Sequence, residues 1–419
     1  MIRALSDYYR CSDELAETEA SVTLPAHIAA ALQSSIPHPG GFDRALPSSE
    51  CEELIAVLRN ERYVPESKGR LSSGWISNFY YALRPVLGVQ LRRSLQRLFL
   101  RGWQDRPFPR WPVDRTVDEL HQQMLLSAMK ASNIQHAPFI WFWPDGHSAC
   151  AVMTHDVETE KGLQFCPELM DMDDAAGMKA SFQIIPEQRY RATGAQLDAI
   201  RRRGFEVNVH DLNHDGKLFR DRAVFESRVD RLNSYGERFR AAGFRSGALY
   251  RNQSWFRELK FAYDMSVPNV AHLDPQHGGC CTLLPFFIGN VVEIPVTAIQ
   301  DYSLFHILQD YSTELWQRQL STIVAQHGVI NVIAHPDYLL ELRARSVYQA
   351  LLAYMAGLRD KNGVWTPLPG EVNTWWRQRA QMKLVQKGAD WAITGAGQER
   401  AQIAYAEANG DGLCYRLGT

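Results

Sequence analysis

Apolar and polar residues alternate along this chain first with a helical period and later with a mixture of strand and helix periods. Residues 49 to 60 open on serine and carry apolar residues every three or four positions, the pattern of a capped amphipathic helix. Phe79 to Trp103 and Val117 to Ala131 repeat that periodicity. Between them the proline-rich PFPRWPVDRT reads as a linker, and Pro37-His38-Pro39-Gly40-Gly41 reads as a loop. Residues 1–137 are therefore expected to form a mostly helical N-terminal region.

The texture changes near residue 138. Phe139 to Pro144 and Ala149 to Thr154 are short apolar runs split by Asp145-Gly146, which predicts a hairpin. Strands are predicted at 180–185 (ASFQII), 205–209 (FEVNV), from Phe244, at 291–294 and at 329–333 (VINVI). Helices are predicted at 195–203, ended by Gly204, and at 223–242, ended by Gly243. Strand, helix and strand at this spacing predict an α/β fold with parallel strands and crossover helices over residues 138–380. Such sheets and barrels gather their chemistry at the C-terminal ends of the strands. From residue 381 to 419, alternation around Trp391 to Gly395 and the closing LCYRL predict a small β appendage.

Composition narrows the class of function. Of 419 residues 45% are hydrophobic and 22% charged, which suits a globular protein with a large core. A formal net charge of -2 argues against nucleic acid as a partner. The basic run Arg92, Arg93, Arg97 and Arg101 reads as a solvated helix face, with an acidic partner or a membrane surface as the alternative. No apolar stretch approaches 18 residues, so no transmembrane segment is expected. The opening MIRALSDYYRCSDELAETEA lacks the apolar core of a secretory signal. The seven cysteines contain no C-x-x-C pair and read as free thiols, which makes the cytoplasm the expected address. Adjacent Cys280 and Cys281 are an alternative thiol ligand pair.

Four strand ends carry chemistry. After AVMT come His155, Asp156, Val157 and Glu158, whose carboxylates at 156 and 158 share one side of an extended chain. Two like charges so close call for a counter-charge, and a divalent cation supplies one. After FEVNV, His210 and His214 stand four apart, a spacing that presents both imidazoles to Zn²⁺ if the stretch is a helical turn. Arg245 follows the strand opening at Phe244, and His335 follows VINVI.

At these residues the chain resembles the polysaccharide deacetylase family, the NodB-homology domains of carbohydrate esterase family 4. That family has a Thr-Phe-Asp-Asp strand end, a His-Ser/Thr-x-x-His pair, an Arg-x-Pro turn and a late Leu-x-x-His. Here they read Thr154-His155-Asp156-Val157, His210-Asp211-Leu212-Asn213-His214, Arg245-Ser246-Gly247 and Val332-Ile333-Ala334-His335, in the same order. Val157 stands where the family has its second Asp, and Gly247 where it has proline. The resemblance implies a distorted (β/α) barrel of the NodB-homology type with a mostly helical N-terminal extension.

It also implies a divalent metal, Zn²⁺ first with Co²⁺ or another divalent ion possible, on His210, His214 and one carboxylate. Glu158 is the choice for that carboxylate and Asp156 the alternative. Asp156 would then accept a proton from water, Arg245 would pair with Asp156, and His335 would protonate the leaving amine. His155 reads as structural, and Asp211 and Asn213 as loop caps. Asp264 and Asp301 are each either a partner for His335 or a cap. His272 and His277 are candidate cleft residues, and Tyr250, Trp255 and Trp365 candidate sugar platforms or core aromatics. The expected activity is removal of an N-acetyl group from an amino sugar or a glycan containing one, in surface polysaccharide biosynthesis. The alternatives are an amidase on a non-sugar C–N bond and a catalytically silent carbohydrate-binding protein.

Overall fold

The computed structural model describes the chain except residues 1–3, 13–14, 16–20, 25, 36–41, 43–44, 65–97, 99, 389 and 419. The loop expected at 37–41 and most of the helix expected over 79–103, with Arg92, Arg93 and Arg97, lie outside the described residues. In chain order the N-terminal elements are α1 (Ala4–Tyr9), β1 (Ser21–Thr23), α2 (Ala26–Ser35), β2 (Ala45–Pro47), α3 (Ser48–Arg59) and α4 (Thr116–Ala131). α3 buries Cys51, Leu54, Ile55 and Leu58, and α4 buries Leu120, Met124, Leu125 and Ala128, the stripes that the periodicity predicts. The stretch read as a linker is instead pinned down. Asp114 is buried, accepts from the Arg110 amide at 2.6 Å and the Thr116 amide at 2.8 Å, and exchanges two bonds with Asn269.

Then follow β3 (His136–Ile140), β4 (Cys150–Val157), α5 (Glu160–Ala175), β5 (Ala180–Ile184), α6 (Gly194–Arg202), β6 (Glu206–His210), α7 (Arg222–Phe239), β7 (Gly243–Arg245), β8 (Tyr263–Asp264), β9 (Phe286–Ile288), β10 (Val291–Glu293), α8 (Glu314–Ala325), β11 (Val329–Ala334), α9 (Pro336–Leu339), α10 (Leu342–Asn362) and α11 (Pro369–Gln381). The strands curl in the order β11-β4-β5-β6-β7-β8-β10-β9, parallel throughout except for β9 on β10. The gap between β10 and β11 is bridged largely by side chains: Asn331 Nδ2 donates to the Ile294 carbonyl at 3.0 Å and Thr297 Oγ1 to the Val329 carbonyl at 2.7 Å. This is the distorted (β/α) barrel that the sequence leads one to expect. Among the described residues no helix is long and apolar enough to cross a membrane.

Two local expectations fail for identifiable reasons. Asp145-Gly146 is not a hairpin turn, because β3 pairs with a C-terminal strand and β4 with β11 and β5. A strand buried on both faces takes parallel neighbours from far along the chain. α7 ends at Phe239, three residues before the predicted end, where Arg240 takes a left-handed φ of 50° and the Ala241 amide closes the turn on the Gly236 carbonyl.

The C-terminal residues form β12 (Lys383–Lys387), β13 (Asp390–Thr394), β14 (Ile403–Asn409) and β15 (Gly412–Leu417), and β14 runs antiparallel to β3. Apolar residues at the N-terminal ends of the barrel strands (Cys150, Val152, Tyr263, Val292 and Val329) join one cluster with Tyr9, Leu54, Leu120, Trp143, Trp375 and Ala404. The barrel floor is thus closed by both chain ends. Arg379 on α11 ties this floor together. It is buried, no carboxylate pairs with it among the described residues, and burial lowers its pKa to about 9. Its donors go to the carbonyls of Tyr8, Tyr9, Ile140 and Trp141 at 2.8–3.2 Å. Arg379→Met would keep the volume but strand those carbonyls, and is expected to destabilise the protein by about 3 kcal/mol. Thermal unfolding followed by circular dichroism measures this; an unchanged midpoint would show that the carbonyls find other donors.

Candidate metal centre

The pleat of the strands decides which side chains enter the barrel. Along β4, Cys150 and Val152 join the floor cluster while Ala151, Met153 and Val157 pack outward against the helices. Thr154, Asp156 and Glu158 therefore continue the inward set. The same parity turns His210 inward from β6, Arg245 from β7 and His335 from β11, where Ile330, Val332 and Ala334 face the helices. His155 falls on the outward parity. It is fully buried, with Nε2 2.9 Å from Asp173 on α5 and Nδ1 3.1 Å from the Ala334 carbonyl, a structural placement.

Glu158, His210 and His214 come together so that one ligand atom from each lies within 4.8 Å of the others, a group that can hold a metal ion. The two imidazoles do not meet through a helical turn. His210 ends a strand, and left-handed conformations at Asp211 and His214, both at φ 54°, bring His214 back over it with ring centroids 4.8 Å apart. His210 Nδ1 lies 3.1 Å from the Arg245 carbonyl, an acceptor only, so Nδ1 carries the proton and Nε2 its lone pair. Burial holds the His210 pKa down to about 4, which keeps that lone pair free at neutral pH.

His214 Nε2 is 3.1 Å from Glu158 Oε1, yet neither it nor His210 Nε2 has a hydrogen-bond partner. The contact is close enough for an ion pair but out of line for a hydrogen bond. Tetrahedral ligands about 2.0–2.2 Å from one zinc ion stand about 3.3 Å apart, so the spacing suits two donors sharing a cation. Burial opposes protonation of His214, but the Glu158 carboxylate outweighs it and raises the pKa. The same carboxylate, against the effect of its own burial, is held well below the usual range by His214. A proton and a divalent cation therefore compete for one position, and the donor set fits a divalent ion of zinc type. Arg189 Nη2 approaches His214 Nδ1 at 3.3 Å, but its shorter bond, 2.8 Å, goes to the His214 carbonyl. Nδ1 is thus not required as an acceptor.

The second carboxylate is engaged elsewhere. Asp156 Oδ1 accepts from Arg245 Nη1 at 2.8 Å, and its Oδ2 lies 3.8 Å from His210 Nε2. Burial raises the Asp156 pKa, but Arg245, with His210 and His335, more than reverses this, so it stays ionised. On the other side of the cluster His335 Nε2 is 3.8 Å from Glu158 Oε1, while its Nδ1 and amide both bond to Asp301 at 2.6 Å. Burial alone would lower the His335 pKa; Asp301, with Glu158 and Asp156, pushes it up to about 10. Of the two candidate partners for His335 the structure selects Asp301. Asp264 instead accepts from the amide and hydroxyl of Ser266 at 2.8 and 2.9 Å.

The remaining candidates sort out locally. Asp211 and Asn213 accept from the amides of Leu212 and Asp215, as loop caps do. Gly247 is demanded by the site, since a Cβ there would lie 2.5 Å from Asp211 Oδ2 and 3.0 Å from His214 Cδ2. Cys280 and Cys281 sit in different apolar clusters, their thiols raised well above the usual range by burial, and all seven cysteines are free. His277 meets Arg106 at 2.9 Å, and His272 stacks on Trp111. Trp255 packs against Phe225, and Trp365 pairs with Cys150 at the opposite end of β4 from Asp156.

Sequence reasoning passed over Asp337, which accepts from the Glu158 amide at 2.9 Å, and Tyr338, whose ring lies 4.8 Å from that of His335. Their position directly behind His335-Pro336 was the available signal.

No family model matches the chain, and no curated protein does. Solved structures do. A protein from Mycobacterium smegmatis described as a polysaccharide deacetylase matches with a TM-score of 0.47 at 17% identity, over 60% of this chain and 98% of its own. One from Pseudomonas aeruginosa PAO1, described in the same terms, gives 0.43 at 12%, over 56% and 93%. An allantoinase gives 0.42 at 12%, over 56% and 92%. This chain is thus similar in structure to proteins described as polysaccharide deacetylases and to an allantoinase.

Proposed function

We propose that the chain is a metal-dependent hydrolase that removes an N-acetyl group from an amino sugar or a glycan containing one, in surface polysaccharide biosynthesis. The reading rests on one observation: Glu158, His210 and His214 converge at the mouth of the barrel, between a carboxylate paired with arginine and an imidazole paired with Asp301. Glu158, His210 and His214 hold the ion, Zn²⁺ in the first instance. When bound, a divalent ion there supplies positive charge to the amide carbonyl oxygen and acidifies water.

The protein's own groups do the rest. Asp156, fixed and ionised by Arg245, takes the proton as water attacks the acetyl carbon. His335, charged at neutral pH and oriented through Nδ1 by Asp301, gives a proton from Nε2 to the departing nitrogen. That transfer is needed because an amine leaves poorly without it. The two groups flank the cluster, so acid and base do not share one position.

Purified protein is expected to hold about one equivalent of Zn²⁺ or Co²⁺, and to release acetate from N-acetylglucosamine compounds. Release of ammonia from cyclic amides instead would establish the non-sugar amidase, and a metal content below about half an equivalent the silent binder. His214→Ala should lose the metal. His335→Ala should keep it and turn over at least about 100-fold more slowly; full activity there refutes the acid assignment.

The pH profile gives a separate check. The raised pKa means that the acid form of His335 is present at neutral pH and is lost as pH rises through the folded value near 10. Asp301→Asn removes the largest raising influence, so the alkaline limb of kcat is expected to move to lower pH. An unmoved limb assigns it to another group.

A further inference from the structure

We infer that Asp337 is a positioning residue for Glu158, holding the backbone of the metal ligand from the same turn that presents His335. The inference rests on the reading of Glu158 as a ligand.

Glu158 lies one residue beyond β4, whose pairing with β5 ends at Val157–Ile184. Ladder bonds therefore do not fix its φ and ψ, and a carboxylate on a three-bond side chain would wander with the backbone. Asp337 supplies the missing restraint. Its Oδ2 accepts from the Glu158 amide at 2.9 Å, and its Oδ1 accepts a very short bond from the Thr159 hydroxyl. Thr159 Oγ1 in turn accepts from the Gly162 amide at 3.3 Å, capping α5.

Ordinary helix capping does not account for this arrangement. Thr159 already fills the cap position of α5, and the Asp337 bond reaches past it to the ligand residue itself. The carboxylate fits there because residue 162 has no side chain: a Cβ on Gly162 would overlap both Asp337 oxygens. The partner turn is rigid in its own right, since His335 is held at amide and ring by Asp301, and Pro336 fixes the start of α9. His335 and Asp337, two residues apart, thus set the distance between the acid and the metal ligand. An outer group that orients a ligand in this way contributes about 10–100-fold to metal affinity.

The test is Zn²⁺ affinity of the full chain by competition with a chromophoric chelator, with thermal midpoints of the metal-free proteins in parallel. Asp337→Asn is expected to bind Zn²⁺ at least about tenfold more weakly, with the metal-free midpoint nearly unchanged and the absorption spectrum of the Co²⁺-loaded protein altered. A purely structural residue would lower the midpoint and leave affinity alone. Thr159→Val, at an exposed position, should show a smaller loss of affinity and serves if Asp337→Asn does not fold. Affinity within about twofold of the parent in whichever variant folds overturns the inference. A parent protein that takes up no Zn²⁺ overturns the metal-centre reading and the inference with it, and the two results are told apart by the parent titration.

Discussion

A single buried guanidinium holds the site in register. Arg245 is fully buried, and a charge in that position costs several kcal/mol unless it is paired and hydrogen-bonded. It is both: Nη1 donates to Asp156 and to the Thr154 hydroxyl at 2.7 Å, and Nε donates to the Met265 carbonyl at 2.9 Å. Its own carbonyl accepts from the His210 ring and the Asp211 amide. One residue thus ties β4, β6, β7 and the segment after β8, and at the same time fixes the ionisation of Asp156 and the tautomer of His210. The counter-charge and the ligand geometry have a common origin.

The barrel around it is graded along its axis. Its floor is apolar and continuous with the N-terminal helices and the C-terminal strands. Above lie Thr154, Gln183, Asn208 and Asn331, buried and polar, and above those the charged groups. At the mouth the Glu158 side chain keeps partial access to water, at 25% exposure, while the His210 imidazole below it stays dry enough to remain neutral. Burial and opposite charge thereby separate the histidines: His210 is held neutral and His335 charged, although both are deeply buried.

Turn chemistry does the fine placement. Left-handed residues at 211 and 214 fold the second imidazole over the first, and the close approach leaves room only for glycine at 247. The departure from the proline seen in the resembling family is therefore matched by the position of Asp211, whose carboxylate occupies the space a side chain would need.

The sequence alone determined what is local and periodic. The short apolar runs AVMT, FEVNV and VINVI mark strands, so that Asp156, Glu158, His210, Arg245 and His335 could be named as residues at strand ends. Helical stripes in α3, α4 and α7 were legible for the same reason. Tertiary structure decided what depends on partners distant in the chain. Asp145-Gly146 looks like a hairpin turn by itself, but β3 pairs with β14 about 270 residues away and β4 with β11 about 180 residues away. Which carboxylate pairs with Arg245 and which stands beside His214 was decided in the tertiary structure, as was the pairing of His335 with Asp301 and not Asp264. Side-chain period is encoded residue by residue in the chain, whereas the register between strands and the competition for a shared charge exist only once the strands have met.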